Sequence, residues 1–71
     1  MQFTIVIEGD ERGGFSAYVP ALEGVVATGR TEQLVRSRIE SGIAYHISKL
    51  RESGREIPPP SVHIYQVELA L

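Results

Sequence analysis

The sequence predicts an α+β fold with its elements in the order β-β-β-α-β. Two N-terminal segments show strand-like alternation across a glycine-rich turn, one long segment has helical periodicity, and a β-rich segment follows a proline run. A helix crossover between strands favours one mostly antiparallel four-stranded sheet, covered on one face by the helix, with the last strand beside the first. A chain of 71 residues cannot divide its core, so we expect a single domain over residues 1–71.

The first two strands are predicted as a β-hairpin. Residues 2–8 and 14–19 alternate between apolar and polar side chains, and residues 9–13 between them have a turn composition. Pro20 ends the second strand because it cannot donate to a ladder, and a short third strand is predicted over residues 25–28. The face of the first strand that we expect to be buried consists of Phe3, Ile5 and Ile7.

One helix is predicted between Thr31, a suitable N-cap, and about residue 53. Gly54 stands where a left-handed C-terminal cap belongs, and the prolines that follow prevent continuation into the last predicted strand, residues 62–71. Gly42 lies beside the apolar stripe, which suggests close packing of the helix backbone. The stripe that should face the sheet consists of Val35, Ile39, Ile43, Ile47 and Leu50.

Charge and composition narrow the class of protein. The chain lacks cysteine, so neither a disulfide framework nor a thiolate zinc site can stabilise it, and self-association is the remaining common means of stabilisation. Because the sheet face away from the helix should expose Val6, Tyr18 and Val26, we expect a homo-oligomer of at least two chains. It begins without a basic signal-like region and has no apolar stretch long enough for a membrane span, so we expect a cytoplasmic protein. The net charge of −2 is uneven: residues 1–29 hold four carboxylates against Arg12 alone, a net −3, whereas residues 30–56 carry +2.

No catalytic, cofactor or metal site is predicted. Glu8, Asp10 and Glu11 are more typical of a solvated hairpin than of metal ligands, because two-metal sites need carboxylates from separate elements. His46 falls within the helix stripe and is more typical of a partly buried structural histidine than of a general base. The serines show no nucleophile context, and the glycines surround a hairpin turn rather than a phosphate loop. We therefore expect a protein that is not an enzyme.

Several short motifs, in order, resemble the HicB antitoxin family. They are FTIVIEGDE at 3–11, GGFSAYVP at 13–20, ATG at 27–29 before Thr31-Glu32, LRESG at 50–54 and IPPPS at 57–61. The resemblance implies a partial ribonuclease-H-like sheet with one helix. It also implies an antitoxin that neutralises a HicA-like toxin, a small protein that cleaves mRNA. Many relatives continue into a DNA-binding domain, whereas this chain stops at Leu71, so we expect a short form.

Two further departures from the family pattern are Glu23-Gly24-Val25, where relatives have Pro-Gly-Cys, and a more basic helix start at 34–38. The alternative function is a homo-oligomeric or weakly nucleic-acid-binding module without a toxin. Arg30, Arg36 and Arg38 alternate with glutamates and are more typical of an ordinary charged face, so direct DNA or RNA binding is not expected. The residues predicted to contact the toxin are Glu8, Asp10, Glu11, Tyr18 and Glu23.

Overall fold

The computed structural model describes residues 2–59 and 63–70, which form three strands followed by one helix. The strands form one antiparallel sheet in the order β1-β2-β3, so β2 is central and β1 and β3 are its edges. The α+β class and the first four predicted elements are confirmed. The elements are β1 at Val6–Asp10, β2 at Gly14–Tyr18, β3 at Val26–Gly29 and α1 at Glu32–Glu52.

Both ends of α1 are closed by the residues that the sequence indicated. At the N-terminus, the Thr31 Oγ1 accepts a hydrogen bond of 3.1 Å from the Leu34 backbone N–H. At the C-terminus, Gly54 adopts a φ of 71°, and the Arg55 N–H donates to the Leu50 carbonyl at 2.9 Å. This is the Schellman arrangement, which satisfies carbonyls that the last helical turn leaves free.

The core lies between α1, the central strand and the β2–β3 connection. This connection is tightly folded, since the Leu22 N–H donates to the Val19 carbonyl at 3.0 Å and the Val25 N–H to the Leu22 carbonyl at 3.3 Å. Leu22 turns inward within this connection and is buried. The buried residues are Ala17, Val19, Leu22, Val25, Val35, Ile39 and Ile47.

The face of the first strand that was expected to be buried is only half-buried. Phe3, Ile5 and Ile7 pack against the core but keep part of their surface exposed, and the paired strand starts at Val6 rather than at residue 2. The physical reason is that β1 is an edge strand. A helix of 21 residues is about 31 Å long and a five-residue strand about 17 Å, so the strands cover only part of the helix. Leu22 and Val25 of the β2–β3 connection complete the core, and Phe3 and Ile5 pack against it.

The fourth strand is not found in the described residues. Residues 63–70 have no regular secondary structure and are all exposed, while positions 62 and 71 of the predicted strand lie outside the described ranges. The radius of gyration is 14.3 Å, against about 11 Å for a compact chain of this length. A strand is defined by its pairing, and residues 63–70 pair with none of the three described strands. The predicted four-stranded, ribonuclease-H-like sheet is therefore not confirmed.

Gly42 and Gly29 provide a matched test of helix packing. A Cβ at Gly42 would lie 3.5 Å from Val25, an ordinary contact, so the close approach expected there from the sequence is absent. A Cβ at Gly29 would lie 3.1 Å from the Val35 backbone nitrogen. We predict that Gly42→Ala raises the free energy of unfolding by up to about 1 kcal/mol, and that Gly29→Ala lowers it by about 1–3 kcal/mol. Urea denaturation followed by circular dichroism measures both. Equal changes in the free energy of unfolding for the two variants would contradict the difference in packing between Gly42 and Gly29.

Ile39 and Ile5 should differ in their contribution to stability. Ile39 is fully buried, whereas Ile5 is half-buried beside the open edge of the sheet. We predict that Ile39→Ala lowers the free energy of unfolding by about 2–5 kcal/mol, because it leaves a cavity in the core. Ile5→Ala should cost less than half of that amount, because less apolar area is lost from a half-exposed site. Thermal or urea unfolding measures both losses. A larger loss in the free energy of unfolding for Ile5→Ala than for Ile39→Ala would show that Ile5 is buried in solution.

Candidate partner-binding surface

The sheet face opposite α1 is uncovered in the described chain. Because successive strand residues point to opposite faces, the strand register places Val6, Tyr18 and Val26 in one row across all three strands. Tyr18 is 43% exposed and Val26 is 71% exposed. We call the sheet face that carries this row the open face. Its residues are Val6, Glu8, Ser16, Tyr18, Val26 and Thr28.

Two of the predicted partner-binding residues meet on the open face. Glu8 pairs with Ser16 in the row next to the apolar one, which makes it a diagonal neighbour of Tyr18. The Glu8 side chain is exposed. The structure thus places an aromatic side chain beside a carboxylate on a surface that no other element covers.

Asp10 has a structural role at the hairpin turn. Its Oδ1 accepts hydrogen bonds from the backbone N–H groups of Arg12, at 3.0 Å, and Gly13, at 2.8 Å. This arrangement is an Asx turn, in which the side chain replaces a backbone acceptor. Asp10 is exposed, as expected for a solvated hairpin, and its carboxylate is the acceptor for two backbone donors of the turn.

The hairpin end of the sheet also gathers three arginines. Arg12, Arg30 and Arg38 line an open groove of about 740 Å³ together with Glu11. The Arg38 Nη1 donates to the Thr28 carbonyl at 2.8 Å, which fastens α1 to β3. The ion pairs of the described residues lie elsewhere on α1 and join Arg36 to Glu32 at 3.7 Å and Lys49 to Glu52 at 3.3 Å. The groove is therefore locally cationic, although the first 29 residues are acidic.

Glu23 lies at the other end of the sheet. It is exposed in the β2–β3 connection, whereas Asp10 and Glu11 lie at the β1–β2 turn. The five predicted residues thus occupy three places: Glu8 and Tyr18 share the open face, Asp10 and Glu11 lie beside the arginine groove, and Glu23 is at the far end. Val6 and Val26 were not among the five predicted contact residues, although side-chain alternation also assigns them to the face away from the helix. The strand register aligns both with Tyr18.

Comparison with known proteins identifies the family. A UPF0150 protein from Thermoplasma acidophilum is 33% identical over 58 residues, which cover 82% of this chain and 84% of the relative. The chain belongs to the UPF0150 family. This family is HicB-like, in agreement with the resemblance drawn from the motifs. No family model matches the chain, and no solved structure matches it.

The two histidines of this UPF0150 chain lie in different segments. His46 is half-buried on α1, and His63 is exposed in the C-terminal segment. Within residues 2–59 and 63–70, no three histidine or carboxylate side chains converge to hold a metal ion. In the same ranges, no helix is both long and apolar enough to cross a membrane. The open face and the arginine groove are the two candidate binding surfaces of the described residues.

The Asx turn gives a test that separates structural from binding roles at the hairpin. We predict that Asp10→Ala lowers the free energy of unfolding by about 1 kcal/mol, because two backbone donors lose their acceptor. Asp10→Asn should retain most of the stability, since its amide oxygen can accept both bonds. Glu11→Ala serves as the control, because no hydrogen bond of the described structure involves this side chain. Chemical denaturation measures the free energy of unfolding of each variant. A lower value for Glu11→Ala than for Asp10→Ala would contradict this assignment.

Proposed function

We propose that this UPF0150 chain is an antitoxin-type protein that binds and neutralises a small HicA-like toxin that cleaves mRNA. The observation that carries the proposal is the open face, where an apolar row and Glu8 lie on one uncovered side of the sheet. Membership in a HicB-like family supports the same conclusion. Inhibition by occlusion needs no catalytic group, so we propose that the protein is not an enzyme and acts in the cytoplasm, where the toxin meets its mRNA.

The apolar row supplies the packed part of the proposed contact. Exposed apolar patches on small proteins commonly mark association surfaces. Tyr18 is suited to be the anchor, because aromatic residues near the centre of an interface contribute most of its binding energy. It stands on the central strand between Val6 and Val26, so neighbouring side chains can exclude water around it.

Charge complementarity supports a basic partner. A toxin that grips RNA must present cations, and carboxylates near the contact steer such a partner and suppress like-charged competitors. Glu8 is the carboxylate of the open face. Asp10 is engaged by its own turn, and Glu11 shares its groove with three arginines. We therefore assign the steering mainly to Glu8, with Glu23 at the rim, while contact through the hairpin tip remains a prediction.

Two tyrosines allow a matched test of this proposal. Tyr18 lies on the open face, whereas Tyr45 is 67% exposed on α1 beside Lys49. With the toxin-like product of the neighbouring gene, we predict that Tyr18→Ala weakens the complex by about 2 kcal/mol or more, roughly thirtyfold. Tyr45→Ala should leave the affinity unchanged. Isothermal titration calorimetry measures binding, and cleavage of an RNA substrate measures inhibition.

The outcome that would contradict the antitoxin proposal is undiminished RNA cleavage in the presence of excess wild-type protein, or the absence of a complex on gel filtration. If a complex forms but Tyr45→Ala weakens it more than Tyr18→Ala, the toxin binds the helix side and the open face is not the contact. Circular dichroism of each variant confirms that the fold is retained, because both tyrosines lie outside the buried core.

The arginine groove favours one alternative, a homo-oligomeric or weakly nucleic-acid-binding module. Phosphate groups bind arginine clusters, and such binding weakens steeply as salt rises. Under this alternative, RNA binding by the isolated protein would fall with Arg30→Gln, at the groove, and not with Arg51→Gln, near the helix end. Salt-dependent binding with this pattern, together with no toxin complex, would replace the antitoxin proposal.

A further inference from the structure

The C-terminal segment has the pattern of a strand without a partner. From Tyr65 to Leu69 apolar and polar residues alternate, so that Tyr65, Val67 and Leu69 would share one face of an extended chain and Gln66 and Glu68 the other. In the described structure this segment is entirely exposed, with Val67 at 71%. An amphipathic strand of this kind is stable only when a neighbouring strand bonds its backbone and its apolar face is covered.

The outer edge of strand β1 is a suitable pairing site for such a segment. It has β2 on one side and no strand on the other, so its outer edge presents backbone groups without ladder partners. Beside that edge, on the helix side of the sheet, Phe3, Ile5 and Ile7 pack against the core and are only half-buried. An additional strand at this edge would complete their burial if it brought apolar side chains to the same side.

We propose that residues 63–70 of one chain pair with the β1 edge of a second copy, and that the exchange is reciprocal. Tyr65, Val67 and Leu69 would then lie over Phe3, Ile5 and Ile7 of the partner molecule, and the polar face would continue the open face. A single copy leaves both the edge and the segment unpaired. A reciprocal exchange pairs both in each copy and closes a twofold dimer, the commonest symmetric assembly.

The chemistry of the chain supports this assembly. Among the described residues the core contains seven buried side chains, and the sequence has no cysteine that could form a disulfide to reinforce it. A chain of this size commonly gains its remaining stability by oligomerisation. The dimer uses the edge of the sheet and leaves the row of Val6, Tyr18 and Val26 accessible, so it is independent of toxin binding and does not compete with it.

Two substitutions on opposite faces of the segment test the proposal. Wild-type protein should have twice the 7.8 kDa chain mass in light scattering at micromolar concentration. We predict that Val67→Asp raises the dimer dissociation constant more than about a hundredfold, because a carboxylate would be buried without a partner. Gln66→Asp adds the same charge on the polar face and should leave the dimer intact. Both variants should keep wild-type helical circular dichroism, since neither residue belongs to the core of its own chain.

Cross-linking distinguishes exchange between copies from pairing within one chain. The protein lacks cysteine, so single cysteines can be introduced cleanly at Thr4 and at Gln66, both of which would face the open side of the sheet. When Thr4→Cys protein is mixed with Gln66→Cys protein, a short bis-maleimide should join one chain of each kind. The mixed product is expected only if the segment of one copy lies against the edge of another.

Four results would overturn the proposal. They are a monomeric wild-type protein at high micromolar concentration, a dimer that survives Val67→Asp, and equal loss of the dimer in Val67→Asp and Gln66→Asp. The fourth is cross-linking within single chains of the double variant Thr4→Cys/Gln66→Cys, together with no mixed product from the two single-cysteine proteins. The last result would show that the segment completes the sheet of its own chain. None of these results bears on toxin binding, which is measured through Tyr18 and RNA cleavage.

Discussion

The packing of one face of α1 against β2 and the β2–β3 connection is the interaction on which the rest of the structure depends. Val35 and Ile39 have no exposed surface, and Leu22 and Val25 close the core from the connection. A core of this size tolerates little loss, since the net stability of a small domain is only a few kcal/mol. The features that bring the helix to this place, including its Thr31 cap and the absence of a side chain at Gly29, therefore matter as much as the core residues.

Because a single helix covers a three-stranded sheet, the fold leaves other surfaces without cover. One is the open face, with Tyr18 at its centre, and another is the outer edge of β1. The function proposed above, association with a partner, depends on surfaces of this kind. The proposed antitoxin contact and the proposed strand exchange use different surfaces, so one dimer could present an open face on each of its copies.

The fold also redistributes charge relative to the linear sequence. Arg30 and Arg38 belong to the basic middle of the chain, but the antiparallel sheet returns β3 to the hairpin turn and sets them beside Glu11. Asp10 is drawn into the turn by two backbone donors. The negative charge of the first 29 residues is thus partly offset at the hairpin by arginines. On the open face, the negative charge comes from Glu8. The proposed cationic partner would therefore meet a local distribution of charge that differs from the net charge of the segment.

Local patterns in the sequence determined the α+β class, the hairpin, the third strand and both ends of the helix. They are encoded by short-range physics: side-chain alternation, a Thr31 hydroxyl that caps, and a glycine at position 54 that accepts a positive φ. The tertiary structure alone decided that Leu22 is buried, that Phe3, Ile5 and Ile7 remain half-exposed, and which residues of the three strands stand opposite one another. It also left residues 63–70 unpaired, where the sequence predicted a fourth strand. These features depend on contacts between segments that are distant in the sequence. Side-chain alternation indicates that a strand has an apolar face, but it does not indicate which neighbouring element covers that face.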